Sequence, residues 1–322
     1  MRTGYRVFGV LLALVLAAGE AAAQTYPSRP VKIVVGYAPG GGTDVNIRLI
    51  APKLSEQLGQ PVIVENKPGA AARIGAEFVA KSDPDGYTIF AGTSGEMVFN
   101  LGLFKTLSYN PEKDFVPITR LNYDPLLVSV HPSVPAKSLK ELIALAKANP
   151  GKLFYASAAS AFQVASEELN REAGVKIVHV PYKGAAPAVT AAVSGEVSMI
   201  VLSIPPVMAH VKSGKLRPLA ITGPTRSRFF PDIPTAAESG LDLDSVTWAG
   251  LFAPAGTPSA IVDRTYRAAS VVLKDPAMIE RLHSMGRQAI GIGIPPAEFD
   301  AFFRKELAKW PKTIRELGIR GG

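Results

Sequence analysis

Short apolar runs alternate with amphipathic stretches along most of this chain. Residues 31–37 (Val-Lys-Ile-Val-Val-Gly-Tyr) read as a buried strand, and Pro39-Gly40-Gly41-Gly42 as a turn. Thr43 or Asp44 can cap a helix running to 58, with Ile47, Ile50, Leu54 and Leu58 on one face. Pro52 lies inside that helix and is expected to kink or divide it near Arg48, because proline lacks the N–H of the helical ladder. Strands follow at 60–65 and 87–91, with a helix over 74–81 and an Asp83-Pro84-Asp85-Gly86 turn between them. Strand and helix alternating in this way predict a parallel α/β sheet.

The pattern then restarts. Strands are expected at 126–130, 152–156, 175–180, 197–201 and 216–221, with helices from Ser138 to 148, to about 171 and through 193. A strand at 245–253 leads into a helical tail over 259–273, 277–285 and 296–317. Neither 122–125 nor 239–246 is long or low in complexity, and no internal repeat is evident. The expected organisation is two doubly wound α/β lobes joined by crossover strands. The first lobe is discontinuous, 24–123 plus 247–322; the second is 124–246; the hinge falls near 122–125 and 245–248.

The N-terminus changes where such a protein works. Arg2 and Arg6 precede an unbroken apolar run over 7–18, and Ala21-Ala22-Ala23 follows. A basic segment, a short apolar core and an Ala-x-Ala site make a secretory signal peptide, with cleavage expected after Ala23. The run is about half the roughly 20 residues a spanning helix needs, which disfavours an uncleaved anchor. The expected location is the periplasm. The chain has no cysteine, which excludes disulfides, thiolate metal sites, a cysteine nucleophile and a lipidated cysteine. Its formal net charge of +8 is spread without clustered runs, so it lacks the electrostatic footprint of a nucleic-acid binder.

Catalytic signatures are missing. His131, His179, His210 and His283 lie far apart and none makes His-Glu-x-x-His, so no metal site is expected. Gly92-Thr93-Ser94-Gly95 lacks the spacing of a nucleophile elbow. Gly40-Gly41-Gly42 fits neither a dinucleotide fingerprint, since Val45 takes the last position, nor a P-loop. Asp83/Asp85 and Asp242/Asp244 flank turn residues and read as turn caps. No cofactor and no enzymatic activity are expected. What remains is a set of strand-to-helix loops at the carboxyl ends of strands, where open α/β sheets bind ligands. Three consecutive glycines before a helix leave its first amides approachable, and the helix N-terminus favours an anion. A carboxylate is expected there without the help of an arginine.

Several segments resemble one family in order along the chain. They are Tyr26-Pro27-Ser28-Arg29-Pro30, Val35-Gly36-Tyr37-Ala38-Pro39-Gly40-Gly41-Gly42-Thr43-Asp44, Val64-Glu65-Asn66-Lys67-Pro68-Gly69-Ala70, 80–88, His179-Val180-Pro181-Tyr182-Lys183-Gly184 and 252–258. The chain resembles the Bug-type periplasmic substrate-binding proteins of tripartite tricarboxylate transporters. That resemblance implies a type II periplasmic binding-protein fold, whose two lobes close over a small organic carboxylate and deliver it to membrane permease subunits. It implies a ligand site from Tyr37, Gly40, Gly41, Gly42, Thr43, Thr93 and Ser94 in the first lobe and Ser157, Ala158, Ser160, Phe162, Leu202 and Ser203 in the second. Asp44 is expected to cap its helix rather than touch an anion. Leu202 stands where amino-acid-binding members offer an aspartate. A buried ammonium without such a partner costs several kcal/mol, so an aromatic or aliphatic acid lacking an amino group is expected. A monomer is expected. The same binding event in a periplasmic sensor module is the alternative, and a secreted hydrolase or isomerase is disfavoured by the missing nucleophile and base.

Overall fold

The computed structural model describes residues 26–157 and 159–320; the leader with its cleavage site after Ala23, and Ala158, lie outside the described residues. Nine strands form one hydrogen-bonded sheet: β1 (Val31–Val35), β2 (Val62–Asn66), β3 (Thr88–Thr93), β4 (Phe115–Val130), β5 (Phe154–Ser157), β6 (Val178–Pro181), β7 (Met199–Ser203), β8 (Arg217–Ile221) and β9 (Val246–Pro254). The order is β2-β1-β3-β9-β4-β7-β5-β6, with β8 also on β4. β1 runs parallel to β2 and β3, and β5 parallel to β6 and β7, while β9, β7 and β8 lie antiparallel to their partners on β4 or β3.

β4 divides the molecule. From Phe115 to Pro125 it pairs with β9; from Leu126 to Val130 it pairs with β7 and β8. Two half-sheets are therefore strung on one strand, and each is packed on both faces. In the first lobe, Val31, Ile33, Ile47, Leu54 and Val272 fill one side; Phe90, Phe99, Trp248, Phe252, Phe299 and Trp310 fill the other. In the second, period-two alternation sends Leu126, Val128 and Val130 to one side and Leu127 to the other. Strands buried on both faces read as continuous apolar runs, which is why they were visible in the sequence.

The helices are α1 (Gly42–Leu58), α2 (Arg73–Ala80), α3 (Asn100–Leu103), α4 (Leu139–Ala148), α5 (Ser160–Ala173), α6 (Ala185–Ser194), α7 (Ile204–Lys212), α8 (Ser259–Leu273), α9 (Pro276–Ser284) and α10 (Pro296–Glu316). Three features depart from the sequence expectation. Pro52 does not divide α1, whose buried face of Ile47, Ile50, Leu54 and Leu58 holds the helix against the core. β4 begins eleven residues before the expected 126–130 strand, at Phe115. Pro117 and Pro125 argue against a central strand; the register with β9 slips between Pro117 and Thr119 and again between Arg120 and Asn122, which eases Pro117, while Pro125 is the last residue paired with β9, where β4 passes to its second-lobe partners. A π-helical turn at Gly95–Phe99 leading into α3, and α7 with its two prolines in the first turn, carried no recognised apolar period.

Candidate functional site

A cavity of about 290 Å³ lies where the two lobes meet at the crossing strands. That is close to the lower end of the usual range for small-molecule sites. Tyr37, Gly41, Gly42, Thr43, Thr93 and Ser94 line it from the first lobe, and Ser160, Phe162 and Ser203 from the second. Asn122, Asp124, Thr247 and Trp248 form its floor on β4 and β9, and Asn46 and Arg287 complete it.

The Gly-rich loop is held in place from behind. Gly40 adopts a positive φ of 81°, which only glycine takes without strain. Its N–H donates to Asp44 Oδ2 at 2.8 Å, and Gly41 N–H donates to the Ala38 carbonyl at 3.3 Å. Asp44 is buried and also accepts from Arg48 Nε and from Asn66 Nδ2. Burial pushes its carboxyl up, but Arg48, the Gly40 amide and Asn66 together hold it below the ordinary value. Asp44 is thus a clamp on the loop, turned away from the cavity's ligand space. Gly42 and Thr43 begin α1 after an N-cap glycine with no side-chain cap, so their amides have no intrahelical acceptor, and both residues line the cavity.

Behind Tyr37 and Thr93 sits a carboxyl that sequence reading missed. Glu96, fully buried on the π-helical turn, accepts from the Tyr37 hydroxyl (2.8 Å), the Thr93 hydroxyl (2.5 Å) and the Thr93 N–H (2.6 Å). Burial raises its pKa to about 7 despite these donors. Burial, then the nearby Glu96 charge, push the Tyr37 hydroxyl well above its ordinary range.

An arginine is present after all. Arg287, in the segment after α9, donates from Nη1 to Asp124 Oδ2 at 2.7 Å, and Asn122 Nδ2 donates to the same oxygen at 2.9 Å. Burial pushes the Asp124 carboxyl up, against the pull of Arg287 and Asn122. A Cβ placed on Gly42 would lie 3.0 Å from Arg287 Nη2, so the guanidinium stands directly over the start of α1.

The expected site residues divide as follows. Tyr37, Gly41, Gly42, Thr43, Thr93, Ser94, Ser160, Phe162 and Ser203 are brought together around the cavity. Gly40 supports the loop without lining it. Ser157 does not line the cavity either; its hydroxyl pairs with His179 Nε2 at 2.6 Å. Leu202 is 1% exposed and packs in the second-lobe core with Leu127, Ile200 and Val207, so the expectation that it faces the ligand is corrected. Alternation along β7 turns its neighbour Ser203 to the cavity instead. Phe162 both lines the cavity and packs against that core. Asn46, Asp124 and Arg287, which also line the cavity, were missed, and Arg287 carried no local signal.

A cavity between two α/β lobes strung on shared crossing strands is the architecture of a type II periplasmic solute-binding protein. The pattern described as "Tripartite tricarboxylate transporter family receptor" matches residues 46–319. The chain is 35% identical over 318 residues to protein BugT of Bordetella pertussis, covering 98% of this chain and 97% of that one. An R. palustris protein solved with adipate is 34% identical with a TM-score of 0.80, covering 92% of this chain and 99% of its own. MatC of Rhodopseudomonas palustris, solved with malate, is 32% identical with a TM-score of 0.76, covering 90% and 100%. The chain belongs to the tripartite tricarboxylate transporter receptor family; it is a periplasmic solute receptor of the Bug type and not an enzyme.

Proposed function

We propose that this receptor captures a small organic carboxylate between its lobes and delivers it to the membrane permease of a tripartite tricarboxylate-type transporter. The observation that carries this reading is the start of α1, where Gly42 and Thr43, the first residues of a helix without a side-chain cap, line the interlobe cavity. A helix N-terminus of this kind favours an anion by its unpaired N–H groups and its partial positive charge. Two relatives of the same fold hold adipate and malate, both dicarboxylates. Within the cavity the charge of the one lining carboxylate among the described residues, Asp124, is already balanced by Arg287, which with Asn122 bonds its Oδ2, so it offers little net attraction to a ligand ammonium. An aliphatic or aromatic acid without an amino group fits better, with Phe162 and Trp248 as its apolar walls.

Capture works by closure. Segments 24–123 with 247–322, and 124–246, move as two bodies about the β4 crossing at Asp124–Pro125 and the approach to β9 at Ser245–Val246. A ligand that bridges them selects the closed state. Export depends on the leader, with the mature chain starting at Gln24; the intact mass of periplasmic protein checks this.

The test is a thermal-shift panel on mature protein, unfolded and refolded to strip bound solute, with succinate, malate, adipate, benzoate and glutamate. At a hundredfold excess over Kd, binding adds about 2.7 kcal/mol, or several degrees at roughly 2–4 °C per kcal/mol. A shift with one of the four acids and none with glutamate is expected. A shift confined to glutamate reverses the ligand class, and no shift with any acid sinks the carboxylate reading.

A further inference from the structure

Arg287 and Asn46 reach the cavity from places that the Gly-rich loop does not explain. Asn46 sits four residues after Gly42, one turn along the same face of α1, and side chains on a helix lean towards its N-terminus. It is 7% exposed and lines the cavity, yet its Oδ1 is buried without a partner and its amide makes no hydrogen bond to any described residue. Oδ1 is an acceptor and offers nothing to an anion, but the Nδ2 donor, which bonds no described residue, is free to serve a ligand acceptor beside the start of α1. Arg287 is likewise half-committed. Nη1 is bonded to Asp124, whereas Nη2 has no hydrogen-bond partner among the described residues and stands 3.0 Å from the Cβ position of Gly42.

The ion pair itself calls for explanation. The side chains of Arg287 and Asp124 are 15% and 8% exposed, and burying such a pair rarely gains stability over apolar packing. Its geometry gives it another use. Asp124, fixed in β4 and held by Asn122, anchors one edge of the guanidinium and thereby aims the other edge at α1. The arginine fork is suited to a planar carboxylate, and the anchoring removes most of the freedom that binding would otherwise have to freeze. Next to it, Gly286 packs against Met208 and Pro205 of α7, so the same segment also touches the second lobe.

We infer that Arg287 and Asn46 are specificity-determining residues of this receptor, which converge with the Gly42 and Thr43 amides on one ionised carboxylate of the ligand. This rests on the carboxylate reading above. It assigns the recognised group: an ionised acid, discriminated from its uncharged amide by the guanidinium, with the Asn46 Nδ2 donor paired only when the ligand is bound.

Isothermal calorimetry with refolded protein tests it, using adipate and adipamide, or whichever of malate, succinate and benzoate the panel selects together with its own amide. Removing a charge-assisted hydrogen bond is expected to weaken acid binding about 10- to 100-fold in R287Q, and N46A about 10-fold. R287Q is also expected to lower the preference for acid over amide, which loss of packing alone would not do. Because R287Q leaves Asp124 unpaired, the D124N/R287Q double variant serves as the charge-balanced control and is expected to lose the same preference. If the wild type binds an acid and the folded double variant and N46A bind it as tightly and as selectively, the inference is overturned while the receptor reading stands. If the wild type binds no acid at all, both fall.

Discussion

The Thr222 hydroxyl donates to the carbonyl of Ser245 and accepts from the N–H of Leu126 at 2.9 Å. One buried side chain thus joins the first β4 residue paired with β7 to the last residue before β9, at the point where both connections cross between lobes. Ser245 is held further by its hydroxyl bond to Glu168 of α5. T222V keeps the shape and removes both bonds, leaving a buried N–H and a buried carbonyl unmet at about 1–3 kcal/mol each. A loss of several degrees in Tm is expected at roughly 2–4 °C per kcal/mol, with T222S restoring most of it. A T222V protein that melts with the wild type would show that the two crossings are held by other contacts.

Trp248 is 1% exposed, lines the cavity floor, and donates from Nε1 to Glu306 at 3.0 Å. Trp310 donates to the same oxygen at 3.1 Å but does not reach the cavity. The chain has only these two tryptophans. Adding the acid that binds should change the emission of wild type and of W310F, and leave that of W248F flat. A ligand response that survives in W248F would place the site away from the β9 floor.

Gly42 separates fold from function. Alanine is the better helix former, by up to about 1 kcal/mol in a helix interior, so G42A should melt no lower than the wild type. Its new methyl would meet Arg287 Nη2 at 3.0 Å, in the space offered to the ligand. Affinity for the acid, measured by calorimetry, should fall at least tenfold. Unchanged affinity would mean that no ligand atom approaches the first turn of α1.

Glu96 sets a pH dependence of stability. Its folded pKa of about 7 lies above the ordinary 4.5 because burial disfavours the charge. Between these values the native state binds the proton more tightly than the unfolded chain, so stability falls as pH rises from about 4.5 to 7. The amount is at most about 3 kcal/mol, at 1.36 kcal/mol per pKa unit. Asp124 and Glu306, also pushed up by burial, act with the same sign. E96Q, which mimics the protonated carboxyl, should flatten the fall in Tm between pH 5 and 8. A slope identical to that of the wild type would show that Glu96 is ionised throughout.

Much of the frame was legible because its signals are local. Strands such as 31–35 and 199–203 are apolar along their whole length, α8 shows its period directly, and glycines before α1 announce an open helix start. The same continuous apolarity hid which way Leu202 and Ser203 point: both faces of β7 are buried, so the strand's phase is set by its pairing with β4. Pro117 and Pro125 masked the first part of β4, since a register slip beside Pro117 and the change of partner strand after Pro125 are tertiary features.

The sequence by itself determined the two-lobed α/β class and the Gly-rich start of α1, which follow from residues within one or two turns of each other. Tertiary structure alone decided which charged groups meet at and behind the cavity wall. Arg287 meets Asp124 across 163 residues, and Glu96 meets Tyr37 across 59. No periodicity along the chain encodes such meetings; they exist because two half-sheets share one strand, and the packing of both lobes on β4 fixes which distant side chains face the space between them.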